Sequence, residues 1–209
     1  MTTSNQTPHS AASTDPRPRL LAAAHQITPY VDRAAPADLD RPTPCSDWVV
    51  RDLLAHLVAV ERRIAHIVHG GHPFDLPAQV ADVADSDWTS AHTAALGAVE
   101  EALAEPGVLE RTVAHPAGML PAPLALSIYV SELTTHGWDL ATALGDASGL
   151  DESLAEESVE AVRQILPAEP RGTEQIPFGP VVAVPEDASA YDRLLGWYGR
   201  DPRWSAQAR

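Results

Sequence analysis

The stretch VVRDLLAHLVAVERRIAHIVHGG, residues 49–71, decides the fold class. Leu53, Leu54, Leu57, Val60, Ile64 and Ile67 recur at three- and four-residue spacing, the broad apolar stripe of an α-helix over 49–69. Gly70-Gly71 supplies the stop, because glycine accepts the left-handed turn that closes a helix. The same period recurs on either side. Leu20, Leu21, Ala24, Ile27 and Val31 predict a helix over 17–35, which Pro29 should kink or split. A proline-bearing loop, 36–47, joins the two. A third helix is expected over 87–104, with Asp85 or Ser86 as its cap and Pro106-Gly107 as its stop. A fourth runs over 121–144 to Gly145, and a fifth, amphipathic, over 151–166. Residues 108–121, broken by Pro116 and Gly118, read as a loop or small hairpin. An extended Pro/Gly-rich run at 176–185 precedes a short last helix, 188–198. This pattern predicts an all-α chain, an antiparallel four-helix bundle with a short C-terminal extended segment and helix.

Residues 17–209 are expected to form that one domain, long enough to bury a sizeable core. Residues 1–16 are polar, rich in Ser, Thr and Pro, and read as a disordered tail rather than a signal peptide. No apolar run approaches membrane-spanning length, so no membrane partner and a cytoplasmic location are expected. The net charge of −15 argues against a nucleic-acid partner, since phosphate contacts need clustered basic residues. All 14 basic residues are Arg, which excludes lysine nucleophiles, Schiff bases and a Walker-type phosphate loop. The single cysteine excludes an internal disulfide and any multi-thiolate zinc site.

Glu132 and His136 stand one turn apart on the fourth helix and share a face. His56 lies in the middle of the second helix; with it, the pair would make a three-ligand site with open coordination positions, suited to a catalytic divalent metal. Asp139 falls within about 60° of Glu132 and His136 on a helical wheel. It is a candidate fourth ligand, or an acceptor for an imidazole N–H. Asp52, one turn before His56, could orient that ring, and Arg63, two turns after it, could hold an anionic substrate. Spacing alone leaves the bland alternatives open: a satisfied core histidine at 56, a half-exposed pair at 132 and 136, and solvated side chains at 52 and 63. His66 and His69 sit about 15 Å or more along the helix from His56 and, with His72, fit a helix C-terminus or the surface. Cys45 precedes a helix N-terminus, which favours a thiolate, although buried packing explains it as well. Trp48 and Trp138 read as core or rim packing, and His25, His92 and His115 have no supporting context.

The run 43–57 (TPCSDWVVRDLLAHL) resembles the signature of the mycothiol-dependent maleylpyruvate isomerase-like proteins, an actinobacterial branch of the DinB-like metalloproteins. The block 132–141 (ELTTHGWDLA) is similar to that family's second signature. Phe178-Gly179-Pro180, Asp192 to Leu195 and Gly199 to Trp204 look like the tail of its short subgroup. The resemblance implies a DinB-like bundle holding one divalent metal through His56, Glu132 and His136. Zinc is the usual ion, with nickel or iron also suited to such an N/O site. It implies a metal-activated low-molecular-weight thiol, of the mycothiol type, added to a small-molecule electrophile in thiol transfer or isomerisation. Two departures stand out. The capping position often occupied by Thr is Val49 here, so Ser46 or Asp47 is expected to cap the second helix. The isomerase proper carries a further C-terminal domain with a substrate-binding arginine, for which this chain is too short; nothing in the sequence places Arg200 or Arg203 at the metal. Two other readings stay open: a non-catalytic bundle, metal-stapled or forming a homodimer, with Asp139 closing the site, and a metal-dependent hydrolase or cyclase that uses no thiol.

Overall fold

The computed structural model describes residues 15–173, 176 and 178–206. The expected N-terminal tail, apart from Asp15 and Pro16, lies outside those residues. Six α-helices form among the described residues: α1 (Arg17–Arg33), α2 (Val50–Val68), α3 (Trp88–Ala104), α4 (Ala122–Ala143), α5 (Glu152–Ile165) and α6 (Ala190–Trp197). The stretch before α4 is a two-stranded antiparallel hairpin, β1 (Thr112–His115) and β2 (Gly118–Pro121). The chain is all-α apart from this hairpin, as its periodicity predicted. No helix among the described residues is long and apolar enough to cross a membrane.

Pro29 does not split α1, which runs through it. The ring removes one backbone hydrogen bond, but Ile27, Tyr30 and Val31 around it are buried, and that packing holds the helix together. The cap of α2 also differs from expectation. Neither Ser46 nor Asp47 serves; the Asp52 carboxylate reaches back to accept from the Val49 N–H at 3.0 Å. That is half of a capping box, and the apolar Val49 side chain cannot supply the other half.

α1 packs on α3 and α4, and α2 packs on the same two, so the four form a closed ring. Leu20, Ile27, Leu53, Leu57, Ile64, Leu126, Leu133 and Leu140 fill its centre with almost no exposure. Burying each such side chain contributes about 1.5–3 kcal/mol. Direction follows from the contacts. Arg17 near the start of α1 reaches Leu103 near the end of α3, and Thr28 meets His92, so α1 and α3 are antiparallel. α2 and α4 are antiparallel as well: His56 faces Glu132, and Arg111, whose carbonyl accepts from Ala122 N–H at the start of α4, bonds to Val68 at the end of α2. The other two neighbours run parallel, with Glu61 and His69 of α2 meeting His92 and Glu105, and Ile27 and Arg33 of α1 meeting Gly137 and Asp146.

A parallel α2–α3 pair forces the connection 69–87 to travel back along α2. It does so bonded to that helix: Val80 donates to the Ala55 carbonyl, Gln79 to the Asp52 carbonyl, and Arg51 pairs with Asp85. Outside the ring, α5 covers α4 and α6 covers α5. Trp138 belongs to this second core, with Ala155, Val159, Leu194 and Leu195.

Candidate metal centre

His56 from α2 and Glu132 and His136 from α4 meet in the middle of the bundle wall. One ligand atom from each lies within 4.8 Å of the others. His56 Nε2 is 3.3 Å from Glu132 Oε1, without the geometry of a hydrogen bond. Two ligands about 2.1 Å from a common tetrahedral ion stand about 3.4 Å apart. The imidazoles cross nearly edge to face, centroids 4.7 Å apart, and Trp48 lies against both. Trp48 is set there by a tight loop: Thr43 Oγ1 donates to the carbonyls of Cys45 and Trp48, and Asp47 takes a left-handed φ of 71°.

The far nitrogen of each ring is committed. His56 Nδ1 lies 2.8 Å from the Ala78 carbonyl, on the segment that runs back along α2. His136 Nδ1 lies 3.0 Å from Asp139 Oδ2. A carbonyl or an ionised carboxylate only accepts, so each Nδ1 donates, and in the neutral ring each Nε2 carries the lone pair. The His56 Nε2 lone pair therefore lies against the Glu132 carboxylate, buried with no hydrogen-bond partner, and His136 has a ligand atom within 4.8 Å of both. Such a donor-free cluster needs a proton or a cation.

Burial opposes ionisation of Glu132, but the contact with His56 and the proximity of His136 and of the Arg63 charge outweigh it and hold its pKa below the usual carboxylate range. Burial depresses the pKa of His136, only partly offset by Asp139, which favours the neutral ring a metal needs. Asp139 is fully buried, and burial alone would raise its pKa. Arg200 and His136 more than reverse that. The Arg200 guanidinium grips both oxygens of Asp139, Nε at 2.8 and 3.1 Å and Nη2 at 2.8 Å. Asp139 is therefore saturated by His136 and Arg200.

Other expected residues lie elsewhere. Asp52 does not orient His56; its carboxylate is occupied in capping α2, and Ala78 holds the ring instead. Arg63 is buried, donating to the Pro73 and Pro77 carbonyls. Cys45 is next to His136 and Asp139, but burial pushes its thiol up to about 11, so it is no thiolate. His66, His69 and His25 pair with Asp75, Glu105 and Glu100 at the surface. Sequence reasoning named Arg200 but could not place it, because nothing periodic links it to Asp139, 61 residues away. It missed the fully buried pair Glu61 and His92, 3.0 Å apart. Glu61 interrupts the apolar stripe between Leu57 and Ile64, which was the available signal. A surface hollow of about 400 Å³ between α2 and the returning segment, lined by Ala59, Leu76, Pro77 and Val80, includes none of the candidate site residues.

The family described as mycothiol maleylpyruvate isomerase N-terminal domain matches residues 20–141. The chain belongs to that family. The match takes in nearly all of the four bundle helices and the His56, Glu132, His136 and Asp139 cluster, whereas Arg200 lies beyond it. Two relatives from Mycobacterium tuberculosis, one from strain CDC 1551 / Oshkosh and one from strain H37Rv, are each described as an uncharacterized protein. Each is 31% identical over 165 residues, 79% of this chain and 86% of its own length. No solved structure matches this member of the isomerase N-terminal domain family.

Proposed function

We propose that this protein is a metal-dependent enzyme in which His56, Glu132 and His136 hold one divalent ion, zinc as the first candidate, beside an open position for a low-molecular-weight thiol. The reaction is thiol transfer to, or thiol-assisted isomerisation of, a small electrophile. The observation that carries the reading is the meeting of two imidazoles, each bonded through Nδ1 to an acceptor, with one carboxylate, their ligand atoms all within 4.8 Å of one another.

When bound, a divalent ion supplies Lewis acidity, lowering the pKa of a coordinated thiol so that a nucleophile forms at neutral pH. The chain's own residues do the rest. Ala78 and Asp139 fix the tautomer and angle of the two rings. Arg200 keeps Asp139 ionised and turned to His136, which removes it as a fourth ligand and favours the open site over a closed staple. Trp48 covers the rings and shields them from water on that side. Membership of the mycothiol maleylpyruvate isomerase N-terminal domain family supports mycothiol as the thiol.

The test is titration of cobalt-substituted protein with mycothiol. A thiolate-to-metal absorption band that saturates at one equivalent, and that is absent from Glu132→Gln and His136→Ala, is the expected outcome. Cobalt bound without any such band would leave a metal-dependent hydrolase or cyclase as the better reading.

A further inference from the structure

α2 carries a second buried carboxylate that the metal reading does not use. Glu61 lies five residues past His56, about 7.5 Å along the helix and about 140° around it, and its neighbours belong to α3 and α1. Glu61 has no exposure, and His92 of α3 is 1% exposed. His92 Nδ1 lies 3.0 Å from both Glu61 oxygens, with hydrogen-bond geometry to Oε2. Its Nε2 lies 3.0 Å from Thr28 Oγ1 on α1. Three helices thus give one side chain each to a single run of contacts, hydroxyl to imidazole to carboxylate.

A helical Ser or Thr commonly donates to the carbonyl one turn back, as Thr93, Ser127 and Ser158 do. The Thr28 hydroxyl meets His92 instead. An ionised Glu61 can only accept, so Nδ1 donates to it, and Nε2 keeps the lone pair that takes the Thr28 hydrogen bond. This is the order of nucleophile, base and orienting carboxylate. Burial pushes the Glu61 pKa up, with the contact with His92 and the proximity of His25 opposing it, so rising pH favours that state. Glu61 and His92 are sealed from solvent, whereas Thr28 is only half-buried and forms the open end of the run. Thr28 lies inside α1, where backbone N–H groups are bonded along the helix and Pro29 has none. Such a place offers no backbone donors to the oxyanion of a tetrahedral intermediate. Amides are too unreactive for it; acyl groups on good leaving groups are not.

We propose that Thr28, His92 and Glu61 form a second reactive site, separate from the metal centre, at which Thr28 takes an acyl group from a small activated ester or thioester. Thr28 Oγ1 attacks the acyl carbon while its proton passes to His92 Nε2. The new bond from Oγ1 replaces the bond to the leaving group, which departs with that electron pair and recovers the proton from His92. The product is an acyl ester on Thr28, a covalent modification of α1.

The test is incubation of the purified protein with p-nitrophenyl acetate at mildly alkaline pH, read by peptide mass spectrometry. One acetyl group on Thr28 is expected, and chelator-stripped protein should acquire it at the same rate, because no step uses the ion. The rate should fall about a hundredfold in His92→Gln. Thr28→Ser should keep the label in the same peptide, and Thr28→Val should lose it. No acetyl group on Thr28 in the unaltered protein, an unchanged rate in His92→Gln, or a rate lost with the metal overturns the site. Should His92→Gln lose its helical circular dichroism, the pH profile of the unaltered protein decides. A rate that levels off at high pH supports an internal base, whereas one that climbs about tenfold per pH unit without a plateau is that of an unassisted hydroxyl and overturns it.

Discussion

Asp139 has no solvent exposure and yet is ionised, and Arg200 is what keeps it so. Removing one partner of a buried pair strands the other charge, at a cost of about 3–5 kcal/mol. Arg200→Met should lower the urea unfolding free energy by that order, and Arg200→Lys by less, because lysine keeps the charge but not the fork. The same variants should weaken metal binding about 10–100-fold, read by competition with a chromophoric chelator, since Asp139 then no longer holds His136 in place. A variant as stable and as metal-avid as the parent would show that Asp139 needs no partner. His115 gives a pH signature. Burial lowers its pKa, with Arg63 adding and Glu132 opposing. Its folded value thus lies below the unfolded one of about 6.5, and the unfolded chain takes up the proton first. Its contribution to stability is complete above that value and is lost as pH falls toward the folded pKa. Metal-free protein should therefore melt at lower temperature on going from pH 7.5 to 5.5, and His115→Phe should flatten part of that slope. An identical slope in the variant would remove His115 from the account.

Gly199 is the hinge that brings Arg200 to the site. It closes α6 with a φ of 82°, and Arg200 N–H bonds back to the Leu195 carbonyl. A Cβ there would lie 2.9 Å from the Gly179 carbonyl group. Gly199→Ala combines left-handed strain of about 1–2 kcal/mol with that clash, and should lower both the melting temperature and metal affinity. Loss of stability with unchanged metal affinity would uncouple the tail from the site. Gly137 has a different reason: a Cβ would meet Ile27 Cγ1 at 3.2 Å, so α1 rests on α4 beside His136. Gly137→Val should destabilise by about 1–3 kcal/mol in a denaturant titration. At this scale the sequence was easy to read where the signal is local. Leu53 to Ile67 define α2 by period, Gly145 ends α4 with a φ of 91°, and the hairpin was marked by Pro116 and Gly118. The cap of α2 was equally local, three residues on at Asp52, but attention to hydroxyl and carboxylate groups before the helix hid it. Pro29 misled because a proline rule describes an isolated helix, and this one is held by burial on both sides of the ring.

Across the whole molecule, periodicity predicts how many helices there are but not which of them are neighbours. The parallel pairs, and the return of residues 69–87 along α2, follow from contacts between side chains far apart in the chain, and so does the Ala78 carbonyl that fixes His56. Likewise His56 and the pair Glu132 and His136 could be matched from their sequence blocks, whereas the Arg200 contact with Asp139 emerges only when the bundle closes. An ion shared by α2 and α4 would bridge antiparallel neighbours, so metal should also raise the melting temperature in a concentration-dependent way. The most direct test is the metal content of purified protein, stripped with chelator and reloaded, by elemental mass spectrometry. One equivalent per chain, lost in both His56→Ala and His136→Ala while each variant keeps its helical circular dichroism, is the result the account predicts. No stoichiometric metal in the parent protein, or full retention in either variant, would contradict it.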